Sequence, residues 1–236
     1  MSIGVHAGNL MPPRVVSGDT MLEVIKEMGI VPFFENRIPG YSIEELTPRE
    51  YWFDGEFLGP WDWKIPCVQS GEVAYGKFLW GGKAAFATVP FYRELMNWRR
   101  SLPKYQPAGD QLRVLEYLEE NGSIGIKEVR HLVGMKKSAA DNLIMRLQMQ
   151  TRVVTGDIAR VYRGPDLHYN GWQTSSFCTP EALFGPDENF PGFPGFPAPT
   201  PLKSPLTPSE SLDFLLTHIQ HLAPTAPQDL ILKMLS

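Results

Sequence analysis

Through the middle of the chain, apolar residues recur first at helical and then at strand spacing. Leu112, Leu115 and Leu118 repeat every third position over residues 110–121 and Gly122 follows as a C-cap, which predicts a helix. Val129, Leu132 and Val133 mark a short second helix over 126–133, with Gly134 supplying the turn. Ala140, Leu143, Ile144 and Leu147 fall at i, i+3, i+4 and i+7 and predict a third helix from about Lys136. The period then changes to that of a strand: Val153-Val154, a Gly156-Asp157 turn, and Ile158 to Tyr162. Helix, turn, helix and ribbon in this order is the layout of a winged helix.

The flanking pattern is also structured. Leu22, Ile25 and Met28 predict a helix capped by Asp19 or Thr20 and stopped by Gly29. An apolar run over 30–34 is broken by Pro32. Ser42 opens one helix start, and Thr47-Pro48-Arg49-Glu50 is a better one. Two β-rich runs, 73–80 and 83–89, are joined by Gly81-Gly82 and read as a tight hairpin. Pro90 opens a helix over 91–100 with Tyr92, Leu95, Met96 and Trp98. Thr179-Pro180-Glu181 starts a short helix. Eight prolines over 186–208, interleaved with Phe190, Phe193 and Phe196, suit a strap laid on the surface better than a free linker. Leu212, Leu215, Leu216, Ile219 and Leu222 predict an amphipathic helix, and 228–235 a last short one.

The expected fold is therefore α+β, a winged helix-turn-helix with C-terminal helices and a Pro-rich strap. It divides into a flexible tail (1–18), an aromatic-rich α+β unit (19–108), the winged-helix domain (109–185), the strap (186–208) and the C-terminal helices (209–236). Helices followed by a Gly-Gly hairpin make the 19–108 unit a second winged helix in tandem, with an unrelated α+β unit as the alternative.

Composition narrows the function. The 236 residues are 43% hydrophobic and 20% charged, as in a globular protein. No apolar run approaches the roughly 20 residues that cross a bilayer, so no membrane contact is expected. Residues 1–18 lack the basic-then-apolar order of a secretory signal, and Cys67 and Cys178 build no disulfide framework, so a cytoplasmic setting is expected. The net charge of −4 argues against general coating of nucleic acid. Its distribution points the other way. Residues 124–163 carry eight basic against three acidic side chains, and residues 170–236 two against six.

Three constellations can carry chemistry. In the winged helix, Lys136, Lys137, Ser138, Asn142, Arg146, Arg152, Arg160 and Arg163 are candidates to bind DNA, with Ser138 and Asn142 at base edges and the cations at phosphate. Met145 and Met149 on the same outer side suggest instead contact with another part of the protein. Gln148 and Gln150 diverge on a helix but share a face on an extended segment. The helix-to-ribbon change falls there, so with Arg152 they can converge and orient a water; two polar residues on a solvated helix end is the plainer reading. Trp61, Trp63, Lys64 and Lys77 combine aromatic faces with cations and suit base stacking, though a core is the commoner fate of tryptophan. Glu35, Asp54 and Asp62 are carboxylates without a selecting spacing. His218 and His221 lie three apart with no third metal ligand near in sequence, and no phosphate loop or dinucleotide fingerprint is present, so neither metal nor cofactor is expected.

Several runs together carry a family resemblance: Pro60-Trp-Asp-Trp-Lys64, Ala74-Tyr-Gly-Lys-Phe78 with Lys83 and Phe86, Leu147-Gln-Met-Gln150, Gly171-Trp172 and Ser176-Phe-Cys178. The chain resembles, over about residues 20–185 and the C-terminal helices, bacterial proteins related to the AlkZ-type winged-helix DNA glycosylases. Those enzymes stack several winged helices into a concave DNA-binding surface and remove alkylated bases, and a Gln-x-Gln pair in them positions the hydrolytic water. The resemblance implies DNA as partner, and Gln148 and Gln150 as the catalytic candidates. This chain is shorter, its pair lies mid-chain instead of near the N-terminus, and Thr151 stands where an Asp often follows. A non-catalytic transcriptional regulator, or a module that binds a protein partner or itself as a homodimer, is the alternative.

Overall fold

In the computed structural model, residues 14–53, 58–185 and 202–236 are described. The tail and strap expectations fall outside them over residues 1–13 and 186–201, as does Asp54. Residues 14–17 are tied to the body: the N–H groups of Arg14 and Val15 donate to Leu46 O, and the Val15 side chain is buried.

Among the described residues the protein is α+β, with ten α-helices and two three-stranded antiparallel sheets. One sequence of elements occurs twice. The first pass is α1 (Gly18–Met28), β1 (Ile30–Pro32), α2 (Glu50–Phe53), α3 (Pro60–Gln69), β2 (Val73–Leu79) and β3 (Lys83–Thr88), with strand order β1-β3-β2. A helix, α4 (Val89–Arg100), and a 3-10 turn (Pro103–Tyr105) follow. The second pass is α5 (Asp110–Asn121), β4 (Ile124–Gly125), α6 (Ile126–Val133), α7 (Lys137–Met149), β5 (Val154–Arg163) and β6 (His168–Cys178), with strand order β4-β6-β5. Three helices close the chain: α8 (Pro180–Phe184), α9 (Pro208–Leu222) and α10 (Gln228–Leu235).

Local chemistry sets these boundaries. Ser17 and Thr20 form a capping box at α1, and Gly29, with φ of 70°, ends it. Thr207 and Glu210 do the same at α9. The α7 stripe Ala140, Leu143, Ile144 and Leu147 is buried against Val114, Leu118 and Val129. Three expectations are corrected. Leu112 is 45% exposed, and Val114 with Leu118 forms the buried face of α5. Likewise α1 buries Met21 and Val24 beside Ile25 and Met28, while Leu22 is only partly buried. Gly156-Asp157 is a bulge inside β5, where the register slips between Thr155 and Asp157, and the hairpin turns at 164–167. A Cβ at Gly156 would lie 2.8 Å from the Cys178 sulfur, so the bulge needs glycine.

The two passes interlock: α3 packs on β5 and α7 packs on β2. Val154, Ile158 and Cys178 of the second pass join the core of the first, which also takes in α9 and α10. Arg99, fully buried on α4, ties the end of α10 to the end of α7. Its Nε donates to Leu235 O at 2.9 Å, its Nη2 donates to the same oxygen, and its Nη1 donates to Met149 O at 2.9 Å.

Candidate functional site

Where α7 meets the first sheet, edge strands β2 and β5 face one another, and one side chain spans them. The buried Gln148 accepts the Lys77 backbone N–H on Oε1 at 3.0 Å and donates from Nε2 to Thr155 Oγ1 at 3.3 Å. A Cβ at Gly76 would sit 2.9 Å from Gln148 Nε2, and one at Gly82 2.5 Å from Met145 Sδ. These two glycines let the helix close on the hairpin. Beside Gln148 the seam opens into a cavity of about 210 Å³, lined by Lys64, Tyr75, Lys77, Asp141, Gln148, Thr155 and Ser175 among others.

Lys64 is the chemically unusual member. It is 7% exposed, and its ammonium lies over the Trp61 ring at 4.4 Å. Burial pushes the ammonium down to about 8, against the opposing pull of Asp62. Asp62 itself is engaged elsewhere: its Oδ1 accepts from Arg160 Nε at 3.0 Å and from the Tyr169 hydroxyl at 2.8 Å. The carboxylate that would neutralise Lys64 thus holds the β5–β6 hairpin against α3.

Outside the cavity, Ser138, Asn142 and Arg146 lie at i, i+4 and i+8 on α7 and are exposed, as are Lys136 and Lys137 at its start. The hairpin end is exposed too. Leu167 is 69% and Trp172 59% exposed, and the Arg163 guanidinium lies over the Trp172 ring at 5.4 Å.

A family model described as AlkZ related matches residues 15–236. The chain belongs to the AlkZ-related family. No curated protein and no solved structure matches it.

In this AlkZ-related chain the two glutamines do not converge. Helix α7 runs on to Met149, and Gln150 keeps helical backbone at φ −76° and ψ 0°, so their side chains diverge. Gln150 donates from Nε2 to Gln106 O at 3.2 Å and to Gln111 Oε1 at 3.1 Å, on the side of α5. Arg152 is half-buried, with Nη2 directed to Gln106 Oε1 at 3.4 Å. The extended-segment reading of Gln148, Gln150 and Arg152 is thereby overturned. Arg160 is committed to Asp62. Trp63 is buried against Tyr51, with ring centroids 5.1 Å apart, and offers no face to a base. Trp61 packs against Phe33 and Phe34 at 5.6 and 5.5 Å. Lys77 is exposed at the cavity rim.

Tyr75, Asp141, Thr155 and Ser175 are cavity residues that sequence reasoning missed. Gly76 was the available signal: a glycine inside a strand marks close approach of another element.

Proposed function

We propose that this AlkZ-related protein binds duplex DNA through two winged-helix units in tandem and receives a damaged nucleotide at the seam between them. The repeated order, one helix, a short strand, two helices and a hairpin, with the first strand paired to the last, supports the winged-helix reading of each half. The observation that carries DNA contact is the exposed line Ser138–Asn142–Arg146, continued by Lys136 and Lys137, on the second long helix of the repeat. Ser and Asn read base edges, and Lys and Arg hold phosphate. Family membership supports the link to DNA repair. Within the cavity, Gln148 would orient a water at the sugar carbon through the N–H and lone pair left beside its bonds to Thr155 and Lys77, since Gln150 faces away.

The test is binding of a generic duplex across a salt series, read by fluorescence anisotropy. Affinity that falls steeply with salt, by about one logarithmic unit of slope per phosphate contact, supports the reading. Flat dependence, or no binding at low salt, refutes it. Hydrolysis is tested separately with an N7-methylated duplex. Base release that is lost in Gln148→Ala and kept in Gln150→Ala is the expected result.

The exposed Leu167 and Trp172 at the hairpin end favour a second reading, a protein-interaction module without turnover. Flat salt dependence would favour it.

A further inference from the structure

Lys64, a buried lysine that base hydrolysis does not use, forms part of the cavity lining. Among the described residues no hydrogen bond or ion pair ends on the Lys64 Nζ, and its contact is the Trp61 ring. Burying an ammonium without an acceptor costs stability, and Lys64 carries that cost in a wall it shares with Tyr75, Gln148 and Thr155. A structural lysine is rarely left this way, because a methionine would fill the same space without that penalty. A neutral amine, by contrast, is a nucleophile, and desolvation supplies a larger fraction of it near neutral pH. The carbonyl such an amine meets here follows from the proposed function: losing a base leaves a deoxyribose whose ring-opened form is an aldehyde.

We propose that Lys64 forms an imine with the C1′ aldehyde of an abasic sugar held in this cavity, an inference that rests on the DNA reading above. The Nζ lone pair attacks C1′, the carbonyl π pair moves to oxygen, and that oxygen takes a proton. The carbinolamine then loses its hydroxyl as water and its N–H proton to solvent, leaving a protonated or neutral imine. Loss of a C2′ proton to a base allows the C3′–O bond to break, with its electron pair leaving on the 3′ phosphate, and Asp141 is the carboxylate on the same cavity wall. Water returns the amine and an unsaturated aldehyde. No oxidant or reductant is consumed.

The experiment uses the full chain and two duplexes, one with a single abasic site and one with a tetrahydrofuran at that position, which has no aldehyde. With borohydride present, the wild type is expected to give a covalent protein–DNA band on the abasic duplex, and Lys64→Met at least tenfold less. Peptide mapping should place the link on Lys64. Lys233→Met, at an exposed lysine that does not line the cavity, should trap as the wild type does. Both Lys64→Met and the wild type should bind the tetrahydrofuran duplex alike, which also establishes that the variant is folded. Binding of that duplex without trapping, equal trapping by Lys64→Met, or a link on Lys77 or the N-terminal amine overturns the imine alone. Failure of every form to bind the tetrahydrofuran duplex overturns the DNA reading and the substrate with it.

Discussion

The backbone N–H of Lys77 donates to Oε1 of Gln148 across 3.0 Å, so the outward edge of the first sheet ends on an α7 side chain. Edge strands expose unpaired backbone groups. Here one such group is used to join the two halves, and the same amide reaches Thr155 on the facing edge of the second sheet. Gln148 is thus a structural tie whatever else it does.

Gln148→Ala should cost about 1–3 kcal/mol, since it leaves the Lys77 N–H without its acceptor. Gly76→Ala should also destabilise, because its Cβ would press on Gln148 Nε2. Combined, the two should cost less than their sum by about 1 kcal/mol, as the added methyl then occupies the space the amide left. Urea unfolding of the four proteins measures this. Strict additivity would mean the amide does not hold the seam.

Arg99→Leu should be more damaging, by about 2–5 kcal/mol, because it leaves Leu235 O and Met149 O unpaired in the core. The loss should centre on α10. Trypsin cleavage at the exposed Lys233 should therefore accelerate more than cleavage in α7 at Arg146, and limited proteolysis followed by mass spectrometry distinguishes the two. Uniform acceleration would place the defect elsewhere.

Stability should respond to pH through Lys64. Its ammonium is lowered from the ordinary 10.5 to about 8 on folding. Between those values the unfolded lysine binds more protons than the folded one, so the Lys64 contribution to stability rises with pH across that window. Below pH 8 both states are protonated and the folded state carries the burial penalty in full. Lys64→Met should therefore be more stable than the wild type at pH 7, by about 2 kcal/mol after loss of the contact with Trp61. The advantage should shrink towards zero by pH 10.5. Urea midpoints of both proteins at pH 7 and 10 check the sign, and a methionine variant less stable at pH 7 would refute it.

The pattern of apolar residues was enough to predict α6, the buried stripe of α7 and the β2–β3 hairpin, because each rests on a local period and a local stop signal. It misread Gly156-Asp157, since a glycine in a bulge carries the same signature as one in a turn. It gave no sign of β4, two residues long, which becomes a strand only by pairing Ile124 with Phe177. Gln148 and Gln150 could not be oriented without knowing where α7 ends. The cavity was hidden for a different reason: Lys64, Tyr75, Asp141, Thr155 and Ser175 come from five elements and meet only because α3 and α7 each pack on the other half's hairpin. Aromatic neighbours single out Lys64 in the sequence, whereas its burial is a tertiary property.

The exposed face of α7 separates two kinds of contact. Lys136 and Lys137 lie at its start, where on the proposed DNA reading the cations would meet phosphate, and Asn142 lies on the Ser138–Arg146 line, where its amide would meet a base edge. Lys136→Ala with Lys137→Ala should weaken binding to all duplexes alike and lower the salt slope by about 2. Asn142→Ala should leave the slope unchanged and cost about 1–3 kcal/mol on a preferred sequence only. Arg160→Ala should affect DNA little directly, because its guanidinium is held by Asp62, and should instead loosen the β5–β6 hairpin from α3. Anisotropy titrations of the three variants on a randomised and a selected duplex, each at several salt concentrations, read these differences. A slope changed by Asn142→Ala but not by the lysine pair would reverse the assignment of base and phosphate along the helix.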